Sequence, residues 1–292
     1  MLADNGFVRR HSVLIYFLLA ILLTWGSMAL AAYPGGFPLT EAQLETAGPI
    51  IYTAMLIGPT GAALLLTGLL DGRQGFRKLF GRLLVWRVSL RWYAAALLTA
   101  PVLITALLFG LTLFSAEYRP VLFTPAGSLT LLLSAVAAGL AVGLFEELGW
   151  TGFALPRMKG SLSAVGTGLI IGLVWGLWHF PPFWENDTFS AALPLALLFG
   201  RLFAWLPPYR ILMVHVYERT HSLLLAVLMH ASLMASLTAL VPADITGMTL
   251  LTWIIVWALA LWGIVAVVSL LQGRPVADQV ELRGHGSPTT AS

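Results

Sequence analysis

SAVAAGLAVGLFEELGWTGFALPR, residues 134–157, sets two adjacent glutamates, Glu146 and Glu147, at the end of a membrane-grade apolar run. An ionised carboxylate in hydrocarbon costs several kcal/mol, so such residues are rare and usually face a cavity or a partner. The pair makes an intramembrane functional site the default expectation. Adjacent residues on a helix point about 100° apart, so the two carboxylates take different neighbours. One faces a central cavity as a general base, and the other orients or is oriented by a neighbouring helix.

The rest of the chain agrees with a membrane setting. Of 292 residues, 59% are hydrophobic and 10% charged, where soluble domains carry about 25% charged residues. Mean hydropathy is +0.87. Backbone groups in lipid must be satisfied within the segment, which leaves helices and closed barrels. The alternating pattern of barrel strands is absent. The fold class is all-α: a polytopic membrane protein of about eight transmembrane helices around an intramembrane cavity. There is no cysteine, which excludes disulfides, iron–sulfur clusters, thiolate metal sites and a cysteine nucleophile. A net charge of +3, confined to particular loops, reads as topology and gives no support for a nucleic-acid partner.

Eight apolar spans are predicted, at about residues 12–32, 50–70, 92–114, 129–148, 162–180, 191–217, 223–240 and 249–271. The sixth is expected to kink at Pro207-Pro208, and the fifth to stop at Phe180-Pro181-Pro182. Arg9 and Arg10, then Arg73, Arg77, Lys78, Arg82, Arg87 and Arg91, then Arg157, Lys159, Arg219, Arg274 and Arg283 lie on one side. Glu41, Glu45, Glu117, Glu185, Asp187 and Asp244 lie on the other, opposed only by Arg119. The positive-inside rule then puts both termini in the cytoplasm, which needs an even number of spans. The first span also fits a secretory leader, through Arg9-Arg10 and Ala29-Leu30-Ala31. Its apolar run exceeds the 7–15 residues of a leader core, so it reads as retained. Three tracts follow: residues 1–124 with spans one to three, 125–240 as a core of spans four to seven, and 241–292 with the last span and a disordered cytoplasmic tail.

Within the spans the ionisable residues are Glu146, Glu147, His179, Arg201, Arg210, His215 and His230. His179, after Trp175 and Trp178, could simply belong to an interfacial aromatic belt. His230 sits within an apolar helix, where an imidazole needs a partner. Together, a glutamate and a histidine can take a proton from water while a second histidine stabilises an oxyanion. Equally, Glu146, His179 and His230 could bind one zinc ion and leave a position for water. Both routes are hydrolytic. A Ser-His-Asp set, facing aspartates and a His-Glu-x-x-His helix are all absent.

The order of these motifs resembles the CAAX-protease and bacteriocin-processing family of intramembrane proteases, which includes the Ras-converting prenyl endopeptidase and bacterial Abi proteins. The family's Glu-Glu-x-x-x-Arg corresponds to Glu146-Glu147-Leu-Gly-Trp-Thr151, its aromatic-to-histidine motif to Trp175 and His179, and its His-x-x-x-Asn to His230 and Met234. The flanks Glu-Glu-Leu-Gly-Trp-x-Gly-Phe-x-Leu-Pro-Arg, Trp-x-x-Trp-His-x-Pro and Tyr-Glu-Arg-Thr-x-Ser-Leu-Leu look like those of bacterial members. The likeness covers residues 125–240. It implies that Glu146 and His179 activate water and that His230 helps bind an oxyanion or a metal. Zinc and metal-free water activation both remain open.

Two residues depart from the pattern. Thr151 stands at the arginine position, four residues past Glu147 and suited to an ion pair on one helix face; Arg201 or Arg210 is expected to substitute. Met234 stands at the asparagine position and cannot donate a hydrogen bond; Ser232 and Ser236 are the candidates to compensate, though on different helix faces from Met234. At about 1.5 Å per residue, His230 lies about 12 Å from the cytoplasmic edge. Glu146 matches that depth if its helix runs to about residue 155, while His179 comes out nearer the far face.

The resemblance implies an endopeptidase of a bacterial cell membrane, cutting a membrane-associated peptide or protein near the cytoplasmic face of the lipid bilayer. Thr151 and Met234 favour one rival, a catalytically impaired relative in membrane binding, regulation or bacteriocin immunity. The other rival is a proton-coupled transporter, against which the lack of internal repeats weighs.

Overall fold

In the computed structural model, residues 6–158, 160 and 162–272 are described, and among them helices account for nearly everything, with no β-strand. The helices are α1 Gly6–Arg10, α2 Ser12–Ala31, α3 Glu41–Gly81, α4 Leu90–Thr112, α5 Leu129–Gly149, α6 Leu155–Met158, α7 Ala164–Trp178, α8 Phe180–Phe183, α9 Ala192–Phe199, α10 Leu206–Thr220, α11 Leu223–Leu240 and α12 Gly247–Gln272. Two π-helical turns, Trp150–Ala154 and Gly200–Ala204, join α5 to α6 and lead from α9 towards α10.

All eight apolar segments expected from the sequence are helical, and the protein is a polytopic membrane protein. Seven are long and apolar enough to cross a bilayer; α7 is apolar but shorter. Its 15 residues span about 22 Å, against about 30 Å of hydrocarbon. The starts follow simple chemistry. Ser128, Ser163 and Ser222 each precede an apolar run, and their hydroxyls accept the Leu131, Gly166 and Leu225 N–H groups. These are N-caps that satisfy otherwise orphaned donors.

The break in the sixth segment falls at the π turn and Trp205, and Pro207 and Pro208 open the first turn of α10. The expected proline kink is thus a proline start. The missing N–H is free of cost in a first turn. The fourth segment continues through the π turn to Met158. α7 ends at Trp178, with His179 as its cap. The polar tail, with Arg274 and Arg283, and Lys159 lie outside the described residues.

Packing is inverted relative to a soluble core. Leu14, Leu18, Leu22, Leu259 and Leu270 are exposed, whereas Trp150, Trp175, Trp178, Tyr16 and Arg210 are buried. α5 lies between α11 and α3, and α7 lies on α10. Small residues make both contacts close. A Cβ added at Gly139 or Gly143 would meet the Ala231 or Val227 carbonyl oxygen at 2.5 or 2.6 Å. One at Gly172 would meet the Pro207 Cα at 2.5 Å. Helices associate in lipid by such close backbone approach, since apolar burial against lipid gains little.

Candidate active site

The α5 seam reads Ala135, Gly139, Gly143, Glu147 at intervals of four, so the helix face that meets α11 continues into Glu147. One turn on, the chain opens into the π turn, a device often found at functional sites. Glu147 and His230 have no exposed surface, and Glu146 is 4% exposed.

The two glutamates take separate environments, as their angular offset requires. Glu147 is the hub of an ionic cluster. Its Oε1 accepts from His230 Nδ1 at 2.8 Å, and its Oε2 accepts from Arg210 Nη1 at 2.8 Å. The Thr151 hydroxyl also donates to Oε2. Glu146 instead meets two indoles: Trp175 Nε1 donates to its Oε2 at 2.8 Å and Trp150 Nε1 at 3.3 Å.

Trp175 connects everything. Its N–H holds Glu146, the Arg210 guanidinium carbon sits 4.3 Å from its ring centroid, and the His230 and His179 rings approach at 5.2 and 5.6 Å. The α7 seam explains this position. Gly168 and Gly172 let α7 settle on α10 and Gly176 lets it settle on the π turn at Leu202, and a Cβ at Gly172 would lie 3.3 Å from the Arg210 Cβ.

His179 is half-buried and forms the outer edge of the cluster. Its Nδ1 lies 2.8 Å from the Trp175 carbonyl oxygen. A carbonyl only accepts, so Nδ1 carries the proton and Nε2 of the neutral ring is an acceptor. α7 is short, and the chain turns directly at His179, one helical turn past Trp175. Helix α2 braces this turn. Trp178 Nε1 donates to Thr24 Oγ1 at 2.8 Å, and Trp25 Nε1 to the Trp178 carbonyl at 2.9 Å.

Of the two arginines expected to replace the motif arginine, Arg210 makes the pair with Glu147. Arg201 pairs with Glu185 at 2.7 Å outside the cluster, because it sits on the π turn, away from the α10 face that meets α7. Thr151 is itself a ligand of Glu147, so this carboxylate keeps a local partner. The suggested serines are excluded. Ser232 donates to the Leu97 carbonyl and Ser236 to the Ser232 carbonyl, on a face of α11 turned to α4. The His215 ring lies tilted against Trp92, with centroids 5.7 Å apart, away from the site.

Among the described residues no three His, Asp or Glu side chains are grouped to hold an ion. Glu147 is engaged on both oxygens, and a guanidinium cation sits within the cluster. No chemical step is therefore routed through a metal.

The signals that the sequence reading missed are the glycine seams in register with Glu147 and Trp175, and the bracing by Thr24 and Trp25. The seams were visible as Gly139-x-x-x-Gly143 and Gly168-x-x-x-Gly172-x-x-x-Gly176. A cavity of about 760 Å³ borders the π turn, lined by Arg77, Lys78, Arg82, Gly152, Arg157 and Tyr217 among others. Arg82 reaches across it to the Gly152 carbonyl at 2.6 Å and the Tyr217 hydroxyl at 2.9 Å.

Fold and site define a helical integral membrane protein with a buried carboxylate–histidine–arginine centre. Residues 128–236, which carry all of the centre, match the family model described as type II CAAX prenyl endopeptidase Rce1-like. A stretch of 77 residues is 35% identical to CAAX prenyl protease 2 of Methanococcus maripaludis. That stretch is 26% of this chain and 23% of the relative, so the chain matches less than a quarter of the relative's length. The resemblance read from the three motifs is borne out over residues 128–236, which are similar to this family of CAAX proteases.

Proposed function

We propose that this protein is an intramembrane endopeptidase that hydrolyses a peptide bond of a membrane-associated substrate with water activated by Glu146 and His179. The observation that carries this reading is the gathering of Glu146, Glu147, His179, Arg210 and His230 around one buried indole. Bringing five ionisable groups into a lipid-embedded bundle is costly, and a structural role needs far fewer.

Charge balance shapes the chemistry. Two carboxylates and one guanidinium leave one negative charge, and burying an uncompensated charge is expensive. That surplus readies the Glu146–His179 pair to take up a proton. In the resting site water binds between Glu146 and the free Nε2 of His179. As the oxygen adds to the scissile carbonyl carbon, its proton passes to this pair. The same proton then moves to the departing amine nitrogen as the C–N bond breaks. Glu147, fixed by Arg210 and Thr151, orients the His230 ring beside the carbonyl.

Cleavage is expected near the cytoplasmic face, which the basic residues at the π-turn cavity mark under the positive-inside rule. A prenylated CAAX peptide is the first substrate to test, since the relative is named for that activity. Purified protein in liposomes should cleave it, or a related membrane peptide, and Glu146→Gln, His179→Ala and His230→Ala should each abolish turnover. Cleavage retained in all three would reject the site. A folded wild type that cuts none of the peptides would favour the impaired, partner-binding relative that Met234 suggests.

A further inference from the structure

Arg210 has donors that its ion pair leaves unused. Its Nη1 binds Glu147, while Nε and Nη2 are buried without a hydrogen-bond partner among the described residues. Nε–H and Nη2–H form the lateral fork of a guanidinium, two parallel donors suited to one anionic oxygen or an oxygen pair. A buried donor left unmet is destabilising, and native interiors rarely keep one. A guanidinium with a whole edge unmet, beside a hydrolytic centre, is built for something that arrives.

Of the other donors, the buried Tyr16 hydroxyl is also without a partner among the described residues but carries no positive charge to match an oxyanion, and the rest are missing or committed. Met234 offers no N–H. His230 directs Nδ1 at a carboxylate, which only accepts, so its ring proton is spent there. Its Nε2, also buried and unpartnered, is then an acceptor in the neutral ring. Arginine stays protonated throughout. Arg210 and His230 each take one oxygen of Glu147 and both lie on the Trp175 ring, so the guanidinium that carries the free edge belongs to the same centre.

We propose that Arg210 is the oxyanion-binding residue of this protein: its Nε and Nη2 donate to the carbonyl oxygen of the scissile bond as negative charge develops there. This rests on the hydrolytic reading above. One residue from α10 would then make good both departures from the motif, pairing with Glu147 in place of the arginine at Thr151 and donating in place of the asparagine at Met234.

The test separates pairing from donation. In Thr151→Arg/Arg210→Leu, a local arginine restores the pair with Glu147 but no fork reaches the carbonyl. In Arg210→Lys a cation remains without the fork, and Met234→Asn can be added to supply an amide donor. Two readouts are used: cleavage of the peptide that wild type cuts, and binding of its phosphonate analogue, whose anionic oxygens mimic the oxyanion, relative to the parent peptide. Arg210→Lys is expected to lower kcat about 100- to 1,000-fold with KM little changed, and to erase most of the preference for the phosphonate. The swap should recover the wild-type unfolding temperature but not kcat, and Met234→Asn should return at least about tenfold in kcat to Arg210→Lys, the scale of one weak donor. Full recovery of kcat in the swap overturns the proposal, as does an unchanged phosphonate preference in folded Arg210→Lys. A wild type that neither cleaves nor prefers the phosphonate rejects the hydrolytic reading itself, and the proposal with it.

Discussion

Two ionic clusters in this molecule use the same chemistry in opposite settings. At the membrane face, Asp71 pairs with Arg9 at 3.1 Å and with Arg157 at 2.5 Å, and all three side chains are 24–60% exposed. Around Glu147, Arg210 and His230 pair at 2.8 Å with 0–1% exposure. Distances barely differ, yet the energetic meaning does. Exposed pairs contribute about 0–1 kcal/mol, because water screens them and ordering long side chains costs entropy. Buried pairs meet a desolvation cost that their attraction only repays with good geometry, and apolar replacement is often no worse. Stability alone therefore explains the first cluster easily and the second poorly. The proposed function accounts for the second.

The comparison can be broken in several places. Arg210→Leu leaves Glu147 charged with only His230 and Thr151 beside it, and should cost about 3–5 kcal/mol in reversible unfolding in micelles. A loss below about 1 kcal/mol would make the two clusters equivalent. Trp175→Phe keeps the ring but removes the N–H on Glu146. A hydrogen bond to a charged group is worth about 1.5–3 kcal/mol, and cleavage should fall with it. Gly143→Val drives a side chain into the Val227 carbonyl, at 2.6 Å for Cβ alone. Overpacking of that kind costs about 1–3 kcal/mol, and the shift of α5 from α11 should lengthen the Glu147–His230 contact, read as reduced kcat. Asp71→Asn should change stability by less than about 1 kcal/mol and leave cleavage intact.

Much of this was legible in the chain. Period and hydropathy alone placed the helices, because lipid permits little else. Glu146-Glu147 stood out because carboxylates are expensive there, and Trp175, His179 and His230 followed by order and resemblance. Arg210 could not be told from Arg201, since both sit in one segment and only the turn at residues 200–204 decides which meets α7. Nor could Ser232 and Ser236 be discounted, because their small hydroxyls can face either way until the neighbour at Leu97 is known. Pro207-Pro208 misled for a related reason: proline marks a helix start as readily as a kink, and the first turn is defined only once the preceding helix has ended. The seams of Gly139 with Gly143 and of Gly168 with Gly172 were readable, but their bearing on Glu147 and Trp175 gains meaning only when α11 and α10 are known to lie opposite.

The central claim is that the buried cluster is a water-activating hydrolytic centre with Glu146 as its base. Mass spectrometry of a prenylated CAAX peptide incubated in liposomes with wild type and with Glu146→Gln tests it most directly. The account predicts a single cleavage by wild type and none by a Glu146→Gln variant that unfolds at the same temperature. Equal cleavage by both proteins would contradict it.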